Sequence, residues 1–134
     1  MLTGNRIVAE IKGELVDLDV AAGEKIYHGA MVARDANGRA VKGATALNLL
    51  GLGRAEAFVN NTDGADGDET IKIKRSVFTY SNSAGGDEIT RSDIGSNCYI
   101  VDDETVAKTD GASTRSVAGK VYDVNAKGVW VDFR

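Results

Sequence analysis

The chain contains no proline, one cysteine, one histidine and one tryptophan in 134 residues. Each scarcity excludes something. Without proline, every backbone N–H after the N-terminal amine is free to pair, which suits a chain built from hydrogen-bonded strands. A single cysteine, Cys98, rules out an intramolecular disulfide and any thiolate metal cluster within one chain. It lies in the apolar run Cys98-Tyr99-Ile100-Val101 and reads as a small buried hydrophobe rather than a reactive thiol. The lone histidine, His28, has no serine or cysteine nucleophile in a recognisable context and no second imidazole, so hydrolase and metal-site patterns lack their parts. No apolar run reaches the roughly 18 residues that a membrane-crossing helix requires, and Met1–Arg6 has no long apolar core of a secretory leader. The expectation is a soluble chain made in a cytoplasm. Positive charge is also short: a net charge of −4 opposes general nucleic-acid binding, and the one basic cluster, Lys72, Lys74 and Arg75, is too small to reverse it.

Glycine, by contrast, is plentiful at 16 residues, and it punctuates short β-type runs. Ile7, Ala9 and Ile11 alternate with Arg6, Glu10 and Lys12; after Gly13, Val16, Leu18 and Val20 alternate with Asp17 and Asp19. A bulge near Gly13 would join these runs into one strand. Ala30–Arg34 and Arg39–Lys42 flank Asp35-Ala36-Asn37-Gly38, a hairpin pattern. Ile71, Ile73 and Val77 share a parity opposite Lys72, Lys74 and Ser76, which predicts a strand with one wet face, interrupted by Arg75. Val117–Val124 and Val129–Phe133 flank Asn125-Ala126-Lys127-Gly128 and predict a C-terminal hairpin. Helical patterns are short. Thr45–Leu52 reads either as a two-turn helix or as an apolar crossing segment, and Thr90–Asp93 as one capped turn stopping at Gly95. No internal repeat is visible in the sequence. The pattern predicts a single all-β domain over residues 1–134, a small sandwich, jelly roll or barrel of short antiparallel strands, with residues 1–50 forming an N-terminal arm plus strands.

Three further patterns bear on chemistry. Asp63-Gly64-Ala65-Asp66-Gly67-Asp68-Glu69 lacks the ligand spacing of a helix-flanked calcium loop and reads as a solvated hairpin loop. Asp102-Asp103-Glu104 reads as a charged turn, since adjacent acids do not converge across a cleft. Gly51-Leu52-Gly53 begins like a dinucleotide fingerprint but lacks the third glycine and the βαβ setting. No cofactor or metal is expected. In the last strand, Val129, Val131 and Phe133 share one parity, leaving Trp130 on the opposite face. Alternation thus assigns the only indole to the solvent side, which predicts that it is covered, either by a neighbouring subunit or partner or by residues 1–50 of its own chain, unless a bulge near Gly128 rotates it inward. Trp130, Tyr122, Lys72 and Lys74 are the candidate interface residues.

Taken as a set, Gly53-Arg54-Ala55-Glu56-Ala57, the run Thr70–Tyr80, Asp93-Ile94-Gly95, Cys98–Val106, Ala118-Gly119-Lys120-Val121 and Gly128-Val129-Trp130-Val131 resemble tailed-bacteriophage capsid cement, or head decoration, proteins. The resemblance covers a little over half of the chain, about residues 54–133, and its motifs are structural. It implies a small β protein on the virion exterior, bound in many copies to the major capsid protein, with a homo-oligomer such as a dimer or trimer, and without catalytic residues, membrane or nucleic acid. A different class fits the same aromatic face: a non-catalytic carbohydrate-binding β-sandwich of a phage tail or fibre.

Overall fold

The computed structural model describes Met1–Arg134, and nearly all of its regular structure is antiparallel β. Twelve strands follow in order: β1 (Leu15–Asp19), β2 (Lys25–Ile26), β3 (Met31–Arg34), β4 (Ala40–Lys42), β5 (Leu50–Ala55), β6 (Val59–Asn60), β7 (Thr70–Lys74), β8 (Val77–Tyr80), β9 (Asn97–Ile100), β10 (Val106–Ala107), β11 (Val117–Asn125) and β12 (Gly128–Asp132). They form two five-stranded sheets, β1-β7-β5-β3-β4 and β10-β9-β11-β12-β8, and a small β2-β6 pair. Each large sheet curls back on itself. Val20, just past β1, makes a parallel bridge to Ala40 of β4, and Ser81, just past β8, makes one to Thr105 ahead of β10. Curling of this kind removes most of the open edge that a flat sheet would present.

The two hairpins form as the turn residues predict. β3 and β4 pair across Asp35–Gly38, where Gly38 takes φ 77° and the Asp35 carboxylate accepts the N–H groups of Asn37 and Arg39 at 2.8 and 2.9 Å. β11 and β12 pair across Ala126-Lys127, with Gly128 at φ 129°. Val129, Val131 and Phe133 are buried, as their shared parity requires. Thr90–Asp93 is a single 3-10 turn in which the Thr90 N–H donates to the Asp93 carboxylate at 2.8 Å, and Gly95 follows at φ 90°.

Two expectations are corrected, and one that stood open between two readings is decided. Residues 1–12 form no strand, and no bulge joins them to β1; they run as an exposed arm up to Gly13 (φ 78°), because their alternating side chains find no partner strand within the chain. Thr45–Leu52 is not helical: residues 46–49 are irregular, with Asn48 at φ 63°, and Leu50 opens β5, so the crossing-segment reading holds. Thr70–Tyr80 is not one strand. The chain leaves the first sheet at Arg75-Ser76 and enters the second at Val77, and Arg75, which breaks the apolar parity, spans the crossing by donating to the carbonyls of Leu52 (3.3 Å) and Phe133 (3.1 Å).

Two apolar clusters fill the fold. One gathers Val20, Ile26, Val32, Leu52, Ile71 and Ile73 with their neighbours from the first sheet. The other gathers Ile89, Cys98, Ile100, Val106, Val129 and Val131 of the second sheet, and takes in Met31 and Ala33 from the first. Where the sheets meet, Gly51 lies so close to β11 that a Cβ placed on it would stand 2.1 Å from the Ala118 carbonyl oxygen. Only glycine fits there.

Candidate interaction surface

Trp130 lies on the face of β12 turned away from the core, between Thr79 of β8 and Asp123 of β11. Its own chain half buries it, and the indole N–H is covered without an acceptor. The part of the ring that stays accessible offers a partner apolar area, while the N–H itself is shut off from solvent. Beside it, Tyr122 is the extra residue of a β-bulge between Val121 and Asp123, which turns its ring outward and leaves it 57% exposed. Asp123 holds Arg91 at 2.8 Å, so the rim of this patch is charged. Lys72 and Lys74 are on β7 of the other sheet, where Lys72 pairs with Asp17 at 3.5 Å and Lys74 stands opposite Leu15 and Arg54. The four candidate residues therefore divide into two groups on different sheets.

The structure adds two features that sequence reasoning missed. Tyr27 and Phe58 lie 31 positions apart, yet the β2-β6 pairing sets Ile26 against Val59 and brings the two rings to 5.5 Å between centroids, with both side chains more than half exposed. Lys25 stands 5.7 Å over the Tyr27 ring. Neither aromatic is part of an alternating run of any length, so only the unexpected pairing reveals the platform. The second feature is the arm. Ile7, Val8 and Ile11 are almost fully in water, although Ile7, Ala9 and Ile11 keep the period of a strand. That pattern is legible in the sequence; its lack of an internal partner is not.

The titratable groups do structural work. Cys98 is buried, and desolvation pushes its thiol up to about 12, which keeps it protonated and inert at neutral pH. Burial likewise raises the Tyr80 phenol, whose O–H donates to the Gly29 carbonyl at 3.1 Å. Three aspartates are held below the usual carboxylate range: Asp87 mainly by the Thr109 hydroxyl and then Arg115, Asp93 by the Thr90 N–H, and Asp132 by Arg134. His28 is exposed in an open depression shared with Tyr27, Asp103 and Glu104. In the 63–69 loop, Asp66 accepts the Ala22 N–H and Asp68 the Ala65 N–H, each at 2.8 Å, so these carboxylates cap backbone; the flanking strands β6 and β7 lie in different sheets, so the loop does not close a hairpin between them. Asp102 does the same for Glu104 at 2.9 Å. No three of His, Cys, Asp and Glu are grouped to hold a metal ion, and no helix is long and apolar enough to cross a membrane. What this surface can do chemically is present apolar and aromatic area beside charge, which is a means of adhesion. Family models, curated proteins and solved structures yield no match to this chain.

Proposed function

We propose that the chain is a structural interaction protein of the cement type, docking on the outside of an assembled phage head and bridging major capsid protein subunits as a homo-oligomer. The observation that carries this reading is the arm. An exposed arm of twelve residues, of which 6–12 keep strand periodicity, precedes a β body whose two sheets each curl back on themselves. Such an arm has hydrogen-bonding capacity and apolar area to give, and its own chain takes neither. A partner with an open strand edge supplies both. Charge favours the same division: the arm carries Arg6 and Lys12 against Glu10, or +1, so the remaining 122 residues carry −5 of the total −4. Many copies on one shell make the sum of modest interfaces large, each adding RT ln(1 + [L]/Kd) to the state it binds.

The test mixes the purified protein with undecorated heads and pellets them. The full chain should co-sediment and saturate at a fixed ratio to the major capsid protein, and a chain lacking residues 1–12 should stay in the supernatant. Absence of the full chain from the pellet in every expansion state of the head overturns the reading.

One observation favours a second reading, a carbohydrate-binding module of a phage tail or fibre: the exposed Tyr27–Phe58 pair offers stacking faces for a sugar ring. Saturable glycan binding by the isolated protein, abolished by Phe58→Ala, would select it over the first.

A further inference from the structure

The two five-stranded sheets have the same connectivity. Label the strands of either sheet a to e in chain order, so that β1, β3, β4, β5 and β7 correspond to β8, β9, β10, β11 and β12. Both sheets then run a-e-d-b-c, every ladder is antiparallel, and c returns to the residue after a through one isolated parallel bridge. The agreement extends to irregularities that the topology does not require. In each sheet strand d bulges against strand b, leaving Leu52 unpaired in one and Ala118 in the other. A glycine follows each bulge, Gly53 and Gly119, and a Cβ on either would strike the carbonyl oxygen of the matching strand-e residue, Lys74 at 2.0 Å and Asp132 at 2.5 Å.

The hydrogen bonds ahead of strand b match as well. Gly29 and Gly95 both take φ 90°. Gly29 donates to Ala55 (3.0 Å) and Ala55 returns a bond to Ala30 (2.9 Å); Gly95 donates to Val121 (2.8 Å) and Val121 returns one to Ser96 (2.9 Å). At the open ends, Arg75 donates to Glu14 at 2.7 Å and Phe133 to Ser76 at 3.0 Å. Side chains have diverged almost completely: Leu52-Gly53-Arg54-Ala55 against Ala118-Gly119-Lys120-Val121 keeps the glycine and a basic residue. Glycine persists at 53 and 119 because backbone crowding demands it, and at 29 and 95 because a φ of 90° does. The first unit has the β2-β6 pair, with β2 between a and b and β6 between d and e, and the second has two 3-10 turns between a and b.

We propose that the chain is a tandem pair of one five-stranded module, residues 14–75 and 76–133, and that each module is a cooperative folding unit of its own. The separate apolar clusters agree with this, since the first draws all its buried residues from the first module. The modules are docked through a strap, where Thr45 donates to the Val101 carbonyl at 2.8 Å and Ser116 to that of Ala46 at 2.7 Å, through Met31 and Ala33 in the second cluster, through bonds from Met31 to Asp103 (2.8 Å), Tyr80 to Gly29 (3.1 Å) and Arg75 to Phe133 (3.1 Å), and through the close approach of Gly51 to Ala118.

Native-state hydrogen exchange on the full chain tests the proposal, using substitutions at matched positions. Ile73 faces Ala55 and Val16 as Val131 faces Val121 and Phe78. Ile73→Val should accelerate exchange by about fivefold at protected amides throughout residues 15–74 while those of 77–132 change by less than about twofold. Val131→Ala should do the reverse, and Val131→Thr serves if the alanine variant does not fold. Equal acceleration across both halves by either substitution would show one cooperative unit and overturn the proposal.

Discussion

Gly51 is the residue at which the two sheets come closest, and its replacement separates a crowding effect from ordinary surface tolerance. Alanine at Gly51 puts a methyl group into the backbone of β11, where no flexible side chain can yield. Gly51→Ala is expected to cost about 2 kcal/mol or more. Gly86→Ala, where a Cβ meets nothing within 4 Å and φ is not positive, should change stability by no more than about 0.5 kcal/mol. Paired urea titrations measure both. Trp130 poses a different question, because its indole N–H is covered and unspent. Phenylalanine removes that donor together with part of the ring. The relief of an unpaired buried N–H, about 1–3 kcal/mol, meets or exceeds the apolar area lost, about 1 kcal/mol. Trp130→Phe should therefore leave the melting temperature unchanged or raise it; a clear fall would mean that the ring packs as core.

Among the elements, the 61–68 loop depends on one buried side chain. Asn61 Nδ2 donates to the carbonyls of Val20, Ala21 and Ala65 at 3.2, 3.1 and 3.0 Å, tying the loop to the end of β1. Removing a donor that serves buried carbonyls is costly, so Asn61→Ala should lose about 2–3 kcal/mol, with exchange rising first at residues 61–69. A loss below about 0.5 kcal/mol would show that water replaces the amide. The arm behaves in the opposite way. All of its residues are exposed, and deleting it should leave the melting temperature within about 2 °C of the full chain while abolishing shell binding.

For the whole molecule, pH dependence follows from groups whose folded and unfolded affinities for protons differ. Asp87, Asp93 and Asp132 have depressed folded values, so their contribution is complete above the unfolded carboxylate value of about 4 and is lost as pH falls through the folded values. All three lie at the surface, only partly covered, and solvent screening keeps the effect modest. Cys98 and Tyr80 act at the other end: both are raised by burial, so stability is complete below their ordinary values of 9.0 and 10.0 and declines as pH rises above them. The melting temperature should be flat from about pH 5 to 8 and fall on either side. A maximum at acid pH below 4 in a calorimetric series would contradict this.

How much of this was legible in the sequence depends on the range over which each feature is determined. Local chemistry sufficed for the C-terminal hairpin, the Asp35–Gly38 turn, the capped turn at Thr90 and the burial of Val129, Val131 and Phe133, because turn residues and period-two alternation act over a few neighbours. The all-β class followed from the same short-range preferences summed along the chain. Alternation also placed Trp130 away from the core, but the outward turn of Tyr122 depends on the bulge that makes it the extra residue of β11. Only the tertiary structure decided that Ile7–Ile11 has no partner, that the run through Arg75 belongs to two sheets, and that Tyr27 meets Phe58. Those outcomes rest on which strand pairs with which, and pairing is set by long-range closure and packing that a strand's own residues do not encode. The repeated module was hidden for the same reason: backbone crowding preserved its glycines and hydrogen bonds, while side chains answering to two different cores lost their likeness.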